Sequence, residues 1–458
     1  MIKAGLLPLY IKLYDDSSPE ARPRLEKFYD NVAAALREKG LDILESPFCR
    51  TMPEFRTAVS GFEERGAACI ITLHMAYSPS LMSAGALAET KLPIIALDVT
   101  ETYDFGFRQD PGEIMYNHGI HGVMDMCNLL LRNGKLFAIV AGHWEKSDAI
   151  ERAAKLAFAA GSAQALRGLR VGRVGDAFEG MGDFYVDDEK LLRDFGIRVV
   201  QFDQERSDAW FQISDDELAR EEVRDKEAFE FVNVGNDMYR ETLKSCLGIR
   251  NWREAEQLDA FTVNFLSVRA GAHPGEMPFM EACKAMAGGI GYAGEGDTLT
   301  AAFTGALLKN FPQTTFVEIF CPDWAGDSLL LSHMGEMNIS LSAAKPVVYA
   351  KSFPYTDAAD PAAVYACLKA GPAVFANVAP MREGYRLVLA PVDMLDAGSD
   401  SFTECIRGWM KPRGPVGRFM EELSTAGATH HSMLVYGDVL EALEFFGKIV
   451  GLDVRVIK

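Results

Sequence analysis

Alternation between two kinds of segment in the first third of the chain constrains its fold more than any other feature. LDILESPF, AACIITLH, KLPIIALDV and GKLFAIVAG are short runs rich in Ile, Val and Leu. Runs that are apolar on both faces suit strands of a parallel sheet covered on both sides, since a half-solvated strand would alternate with polar residues. Amphipathic stretches separate them, among them PEARPRLEKFYDNVAAALREKG and PEFRTAVSGFEERG. Strand–helix–strand order of this kind predicts a doubly wound α/β domain. The opening MIKAGLLPLYIKLYDD reads as its first strand rather than a leader peptide. Pro8 and Lys12 interrupt the apolar stretch, and no small-x-small cleavage site follows.

A second α/β unit begins near Leu169. LRVGRVG and FGIRVVQFD read as strands with helical DDEKLLRDFG between them, followed by a helix-rich stretch from Ser214 to about Leu258. The Gly-rich AGGIGYAGEGD then reads as a turn that opens a helix. Beyond Pro312 the pattern changes: TTFVEIF, DSLLLSHM, KPVVYAKSF and YRLVLAPVDML are strand-like runs joined by turns. The expected architecture is α/β, with two doubly wound domains (1–167 and 168–312) followed by a mostly β domain (313–458).

Charge narrows the partners. With 46 Lys+Arg against 65 Asp+Glu, the net charge is −19. Such a surface repels phosphate backbones, anionic lipid and phosphorylated sugars, so nucleic acid and membrane are disfavoured and neutral sugars fit better. No apolar run approaches the roughly 18–20 residues of a membrane helix. The eight cysteines form no C-x-x-C pair, and several lie in apolar stretches, as reduced thiols of a cytoplasmic protein would.

Several residues could carry metal chemistry. Alternation in TTFVEIF puts Phe316, Glu318 and Phe320 on one face, and a carboxylate between aromatics must be paired, protonated or metal-bound. Glu295 lies between glycines in GYAGEGD, and Asp297 is a natural N-cap for the helix that follows. His333 shares a face with Leu329 and Leu331 if DSLLLSH is one strand. His430 and His431 lead into the last large strand. Each alone is equally consistent with ordinary packing or pairing. Two carboxylates with two imidazoles would suit a divalent ion such as manganese, but spacing alone does not show that the four meet. GGIGYAGEG lacks the acidic ribose partner of a dinucleotide fold.

At these residues the chain resembles the L-arabinose isomerase family, within the arabinose/fucose isomerase group. GYAGEGDTLTAAF is close to the family segment that carries the first catalytic glutamate, and TTFVEIF stands where the second lies. LSHMGE and GATHHS match its two histidine segments. TLHMAYSPSLM, NHGIHG, VAGHWEK and RVGDAFEGM follow the family order over nearly the whole chain. The resemblance implies Glu295, Glu318, His333 and His431 as ligands of Mn2+ (or Mg2+ or Co2+), with Glu295 and Glu318 also the acid/base pair. It implies that Asp297, Met334, Phe178 and His118 lie near the substrate. It further implies a homo-oligomer, trimer or hexamer, with active sites at subunit interfaces, His118 being reached from a neighbouring subunit. The expected function is a divalent-metal-dependent aldose–ketose isomerase working through an enediol on a neutral sugar.

Departures cluster away from the ligands. PLYIKLYDD and ALDVTETYDF replace family segments, Phe178 stands in a methionine's place, and His121 replaces a basic–acidic pair after the NHG turn. Tyr10, Lys12 and Tyr103 fall in the diverged stretches, while His143 and Trp144 end a strand where α/β sheets often bind ligands. Isomerase chemistry is therefore better supported than arabinose as the substrate. A non-catalytic sugar-binding protein, or another metal-dependent reaction such as epimerisation or lyase cleavage, are the alternatives.

Overall fold

The computed structural model describes Met1–Lys458 and forms two compact units. The first comprises Met1–Gln164 with Glu441–Ile449; the second comprises Ala165–Leu440 with Val450–Lys458. The sequence regions 168–312 and 313–458, apart from Glu441–Ile449, thus fall in one compact unit.

In the first unit, strands β1 (Ile2–Leu9), β2 (Leu41–Glu45), β3 (Cys69–His74), β4 (Ile94–Thr100) and β5 (Phe137–His143) form a parallel sheet in the order β2-β1-β3-β4-β5. The order reverses beside β1, as in a doubly wound fold. One face packs Leu7, Leu9, Ile70, Ile94 and Ala96 against Phe55, Val59 and Phe62 of the helix Met52–Glu64 and Val123, Met126 and Leu130 of the helix Ile120–Arg132. A Cβ on Gly5 would lie 2.5 Å from the Phe62 ring, so that helix sits on the sheet only because β1 has a glycine there.

The second unit opens with β6 (Arg170–Val174), β7 (Arg198–Gln201), β8 (Glu230–Phe231), β9 (Ala260–Val263) and β10 (Gly291–Gly294). All but β8 form a parallel sheet in the order β10-β9-β6-β7, again with a reversal, here between β6 and β9. The Gly-rich run was expected to be a turn, yet Gly291–Gly294 is a strand. A Cβ at Gly291 would lie 2.3 Å from the Ala301 carbonyl and 2.4 Å from the Gly305 nitrogen, so glycine lets the helix Thr298–Leu308 lie against β10. That helix is buried at every position, as expected of an uncharged sequence apolar all round. It packs on β9 and β10 on one side and on the next sheet on the other.

That sheet holds β11 (Thr314–Asp323), β12 (Ser328–Ser332), β15 (Gly371–Pro380), β16 (Tyr385–Met394), β17 (Gly408–Pro412), β18 (His431–Tyr436) and β19 (Asp453–Val456); β13 (Val347–Ala350) and β14 (Ala362–Tyr365) pair with β8 instead. Because β15 pairs with both β18 and β16, the strands β15-β18-β11-β12-β17-β16 close into a barrel, with β19 added beside β16. Alternate residues, including Val317, Leu329, Leu331, Phe375, Val388 and Leu434, fill its interior. The intervening residues of β11 and β18 face outward, toward the buried helix. No helix in the chain is long and apolar enough to cross a membrane.

Candidate functional site

Strand register brings the first residues together. Glu318 on β11 lies opposite His431 of β18 on one side and Ser332 of β12 on the other. Side chains directly opposite on antiparallel strands stand about 5 Å apart, so Glu318 and His431 meet, with His333 one residue beyond. β12 ends at Ser332 and the chain turns. His333 therefore leaves the face of Leu329 and Leu331, where unbroken alternation would keep it, and packs edge-on against Phe316 with 4.8 Å between ring centroids. His431 meets the same ring at 5.0 Å. Phe320 departs from expectation as well: a bulge between Ile319 and Cys321 breaks the register, and its side chain is 47 % exposed. Glu318 thus has one buried aromatic beside it, Phe316, rather than two.

Glu295 arrives from the carboxyl end of β10, and three consecutive residues make that possible. Glu295 itself holds φ 63°, a left-handed conformation that costs a side-chain-bearing residue roughly 1–2 kcal/mol. A Cβ on Gly294 would lie 2.6 Å from Cε1 of His333, and one on Gly296, at φ 84°, would lie 2.5 Å from the Asp176 carbonyl. The Phe178 N–H donates to the Glu295 carbonyl at 3.0 Å, tying the loop after β6 to this turn. Asp297 then caps the helix, its Oδ1 accepting from the Thr300 N–H at 2.8 Å.

Each imidazole is anchored from behind by a carboxylate. His333 Nδ1 is 2.7 Å from Glu336 Oε2, His431 Nδ1 is 3.0 Å from Asp297 Oδ2, and His430 Nδ1 is 2.7 Å from Asp183 Oδ2. With Nδ1 engaged, Nε2 is the nitrogen left to face the site. His431 Nε2 lies 3.5 Å and His430 Nε2 3.6 Å from Glu295 Oε2, while His333 Nε2 lies 3.8 Å from Glu318 Oε2. Glu295 Oε2, His430 Nε2 and His431 Nε2 are buried with no hydrogen-bond partner. A buried polar atom left unpaired costs about 1–3 kcal/mol, so three converging ones need an occupant. Two triads have ligand atoms close enough to share a cation: Glu318–His333–His431 and Glu295–His430–His431. Carboxylate oxygen and imidazole nitrogen together suit a divalent ion.

The two glutamates are pushed in opposite directions. Burial raises the Glu318 carboxyl above its ordinary range, against the pull of His333 and His431. Burial also raises Glu295, but His430, His431 and His333 outweigh it and bring the carboxyl below its ordinary range. His430 is raised to about 9: burial lowers it, and Glu295 and Asp183 more than reverse that.

Of the remaining expected residues, Asp297, Met334 and Phe178 adjoin these side chains, and His118 lies in the first unit. Asp297 is fully buried, one oxygen accepting from the Thr300 N–H and the other engaging His431, so it orients the imidazole. Met334 follows His333 and is half-buried. Phe178 packs on Phe265 with 5.4 Å between ring centroids. His118 belongs to the first unit, where Tyr14 Oη lies 3.1 Å from its Nε2 and the Ile114 carbonyl 2.7 Å from its Nδ1. Tyr10 is fully buried, Lys12 pairs with Asp16 in solvent, Tyr103 is exposed, and Trp144 packs on Phe28. His143 Nε2 lies 3.1 Å from the Glu101 carbonyl. Sequence reasoning missed Asp183, which stands 247 residues from its partner, and the anchoring role of Glu336, for which its place three residues after His333 was the available signal.

Residues 313–453 match the family described as the L-arabinose isomerase C-terminal domain. L-arabinose isomerase of Geobacillus kaustophilus (strain HTA426) is 25% identical across 85% of this chain and 80% of its own length. The enzyme of Aeromonas salmonicida (strain A449) is 25% identical across 91% and 86%, and that of Erwinia tasmaniensis 27% identical across 85% and 80%. Over most of its length the chain resembles L-arabinose isomerases. The segment matched to the L-arabinose isomerase C-terminal domain begins just before β11, so it contains Glu318, His333, His430 and His431, while Glu295 and Asp183 lie before it.

Proposed function

We propose that this chain is a divalent-metal-dependent aldose–ketose isomerase acting on a neutral sugar, with Glu295, Glu318, His333 and His431 holding the cation. One observation carries the reading: imidazoles anchored through Nδ1 turn Nε2 toward two glutamates, and the facing atoms of Glu295 and His431 are buried without partners. When bound, a divalent ion supplies Lewis-acid countercharge to the oxygens of the reacting sugar.

The protein's own groups do the proton work. Isomerisation removes a proton from C2, returns one to C1, and shifts another between O1 and O2. Glu295 and Glu318 divide these transfers, one as base toward carbon and the other toward oxygen, through an enediol. Phe316 and the buried helix exclude water behind the imidazoles. Manganese is the first choice of ion, with Mg2+ or Co2+ as substitutes. A homo-oligomer, trimer or hexamer, with His118 reaching a neighbour's site completes the reading. So does a cytoplasmic location, which the free state of all eight cysteines supports.

A panel of aldoses assayed with Mn2+, Mg2+ and Co2+, with products identified, tests the proposal. A ketose product that carries solvent deuterium supports the enediol. Epimer or cleavage products favour the other metal-dependent reactions, and sugar binding without metal or turnover favours a binding protein. Light scattering of the intact protein reads the oligomer.

A further inference from the structure

We propose that Asp183 is a positioning residue: it holds His430 so that Nε2 stays turned toward Glu295, free to hydrogen-bond a hydroxyl of the sugar. The inference rests on the isomerase reading above.

His430 is the third imidazole anchored by a carboxylate at this site, but it differs from the other two in depth. The side chains of His431 and His333 are 0% and 2% exposed, whereas that of His430 is 30% exposed. It is thus the least enclosed of the three rings, although its Nε2, which faces Glu295, is itself buried. Asp183 Oδ2 accepts both the His430 backbone N–H, at 3.0 Å, and its Nδ1, at 2.7 Å. One oxygen that grips the main chain and the ring of the same residue leaves that ring little freedom to turn. Phe184, next to Asp183, packs on His430 at 5.6 Å and stacks on His431 at 5.1 Å between centroids. The loop after β6 therefore holds the pair from one side. Nε2 is then aimed at Glu295 from 3.6 Å, longer than a hydrogen bond, and has no partner. A sugar hydroxyl both donates and accepts, so it can bond this nitrogen in either protonation state.

The test compares wild type with Asp183→Asn, using the best-turned-over aldose of the panel and, separately, Mn2+ affinity by electron paramagnetic resonance. KM should rise about three- to tenfold, the worth of one hydrogen bond, while kcat and Mn2+ affinity stay within about twofold. Asp183→Glu should recover most of the loss. His430→Gln alone should raise KM at least as far, and adding Asp183→Asn to it should change nothing more, because Asp183 acts through His430. A tenfold loss of Mn2+ affinity in His430→Gln overturns the inference by making His430 a metal ligand. Unchanged KM in either single variant, or additive effects in the double, overturns it as well. Wild type that neither binds Mn2+ nor isomerises any aldose refutes the isomerase reading itself, and this inference falls with it.

Discussion

Gly294→Ala adds one methyl group where the structure has no room for it. The new Cβ would lie 2.6 Å from Cε1 and 3.1 Å from Nε2 of His333. Ordinary carbon–carbon contact is about 3.5–4.0 Å, so the ring or the turn must yield by roughly 1 Å. The ring cannot retreat freely, because Phe316 lies against it and Glu336 holds its Nδ1. Metal–ligand distances tolerate only about 0.2 Å. Mn2+ affinity should therefore fall at least about tenfold, some 1.4 kcal/mol. Overpacking should lower stability by a further 1–3 kcal/mol or so. Electron paramagnetic resonance of free Mn2+ reads the first effect and urea unfolding of the metal-free protein the second. Gly85→Ala is the control: no atom lies within 4 Å of its Cβ position, within the helix Ser80–Glu89. It should leave Mn2+ binding unchanged and gain up to about 1 kcal/mol. Wild-type Mn2+ affinity in a folded Gly294→Ala protein would refute the reasoning, since it would mean that the position of His333 does not matter to the ion.

Glu295→Gln and Glu318→Gln should each keep the fold by circular dichroism and lose turnover by about a hundredfold or more; near-native activity in either removes that residue from the acid/base pair. Lys284, whose Nζ lies 2.8 Å from Glu221 and 2.5 Å from Asp225, sits in a buried charge network with Arg250 and Glu281. Lys284→Met should cost about 3–5 kcal/mol in urea unfolding, because it strands buried carboxylates; a loss below 1 kcal/mol would show that the network relaxes. Glu276 is buried beneath Thr242, and burial raises its carboxyl from 4.5 to about 7. The folded state thus holds this proton more tightly than the unfolded state, so stability is lost as pH rises from about 4.5 to about 7. Glu276→Gln should remove that slope, and its stability relative to wild type should grow across the same window; parallel pH profiles would contradict the assignment.

How much of this was readable in advance varies with the range of the interaction. Apolar runs such as AACIITLH and KLPIIALDV became central parallel strands, because their periodicity is local. The GEGD segment was legible as a motif, but its glycines had a further use that spacing could not reveal. Gly294 is defined by His333 and Gly296 by Asp176, both distant in sequence. His333 and Phe320 broke the alternation rule for the same reason, since a strand end and a bulge are decided by what lies next to the strand. Asp297 was legible as a cap. Its second oxygen, which orients His431, depends on a strand 134 residues away.

That separation has a consequence for folding. The turn after β10 and the start of β18 close a very long loop, and closing it is an entropic cost repaid only by the contacts made there. The site is thus one of the last places where native contacts become worthwhile, and one of the first where thermal opening is cheap. A bound ion fastens two stretches of chain that the backbone ladder does not join. Amide hydrogens near Glu295 and His431 should then exchange with solvent well ahead of the barrel interior when the cation is withheld, and slow selectively when it is supplied. The ion would serve the molecule as a latch on its own assembly as well as a reagent.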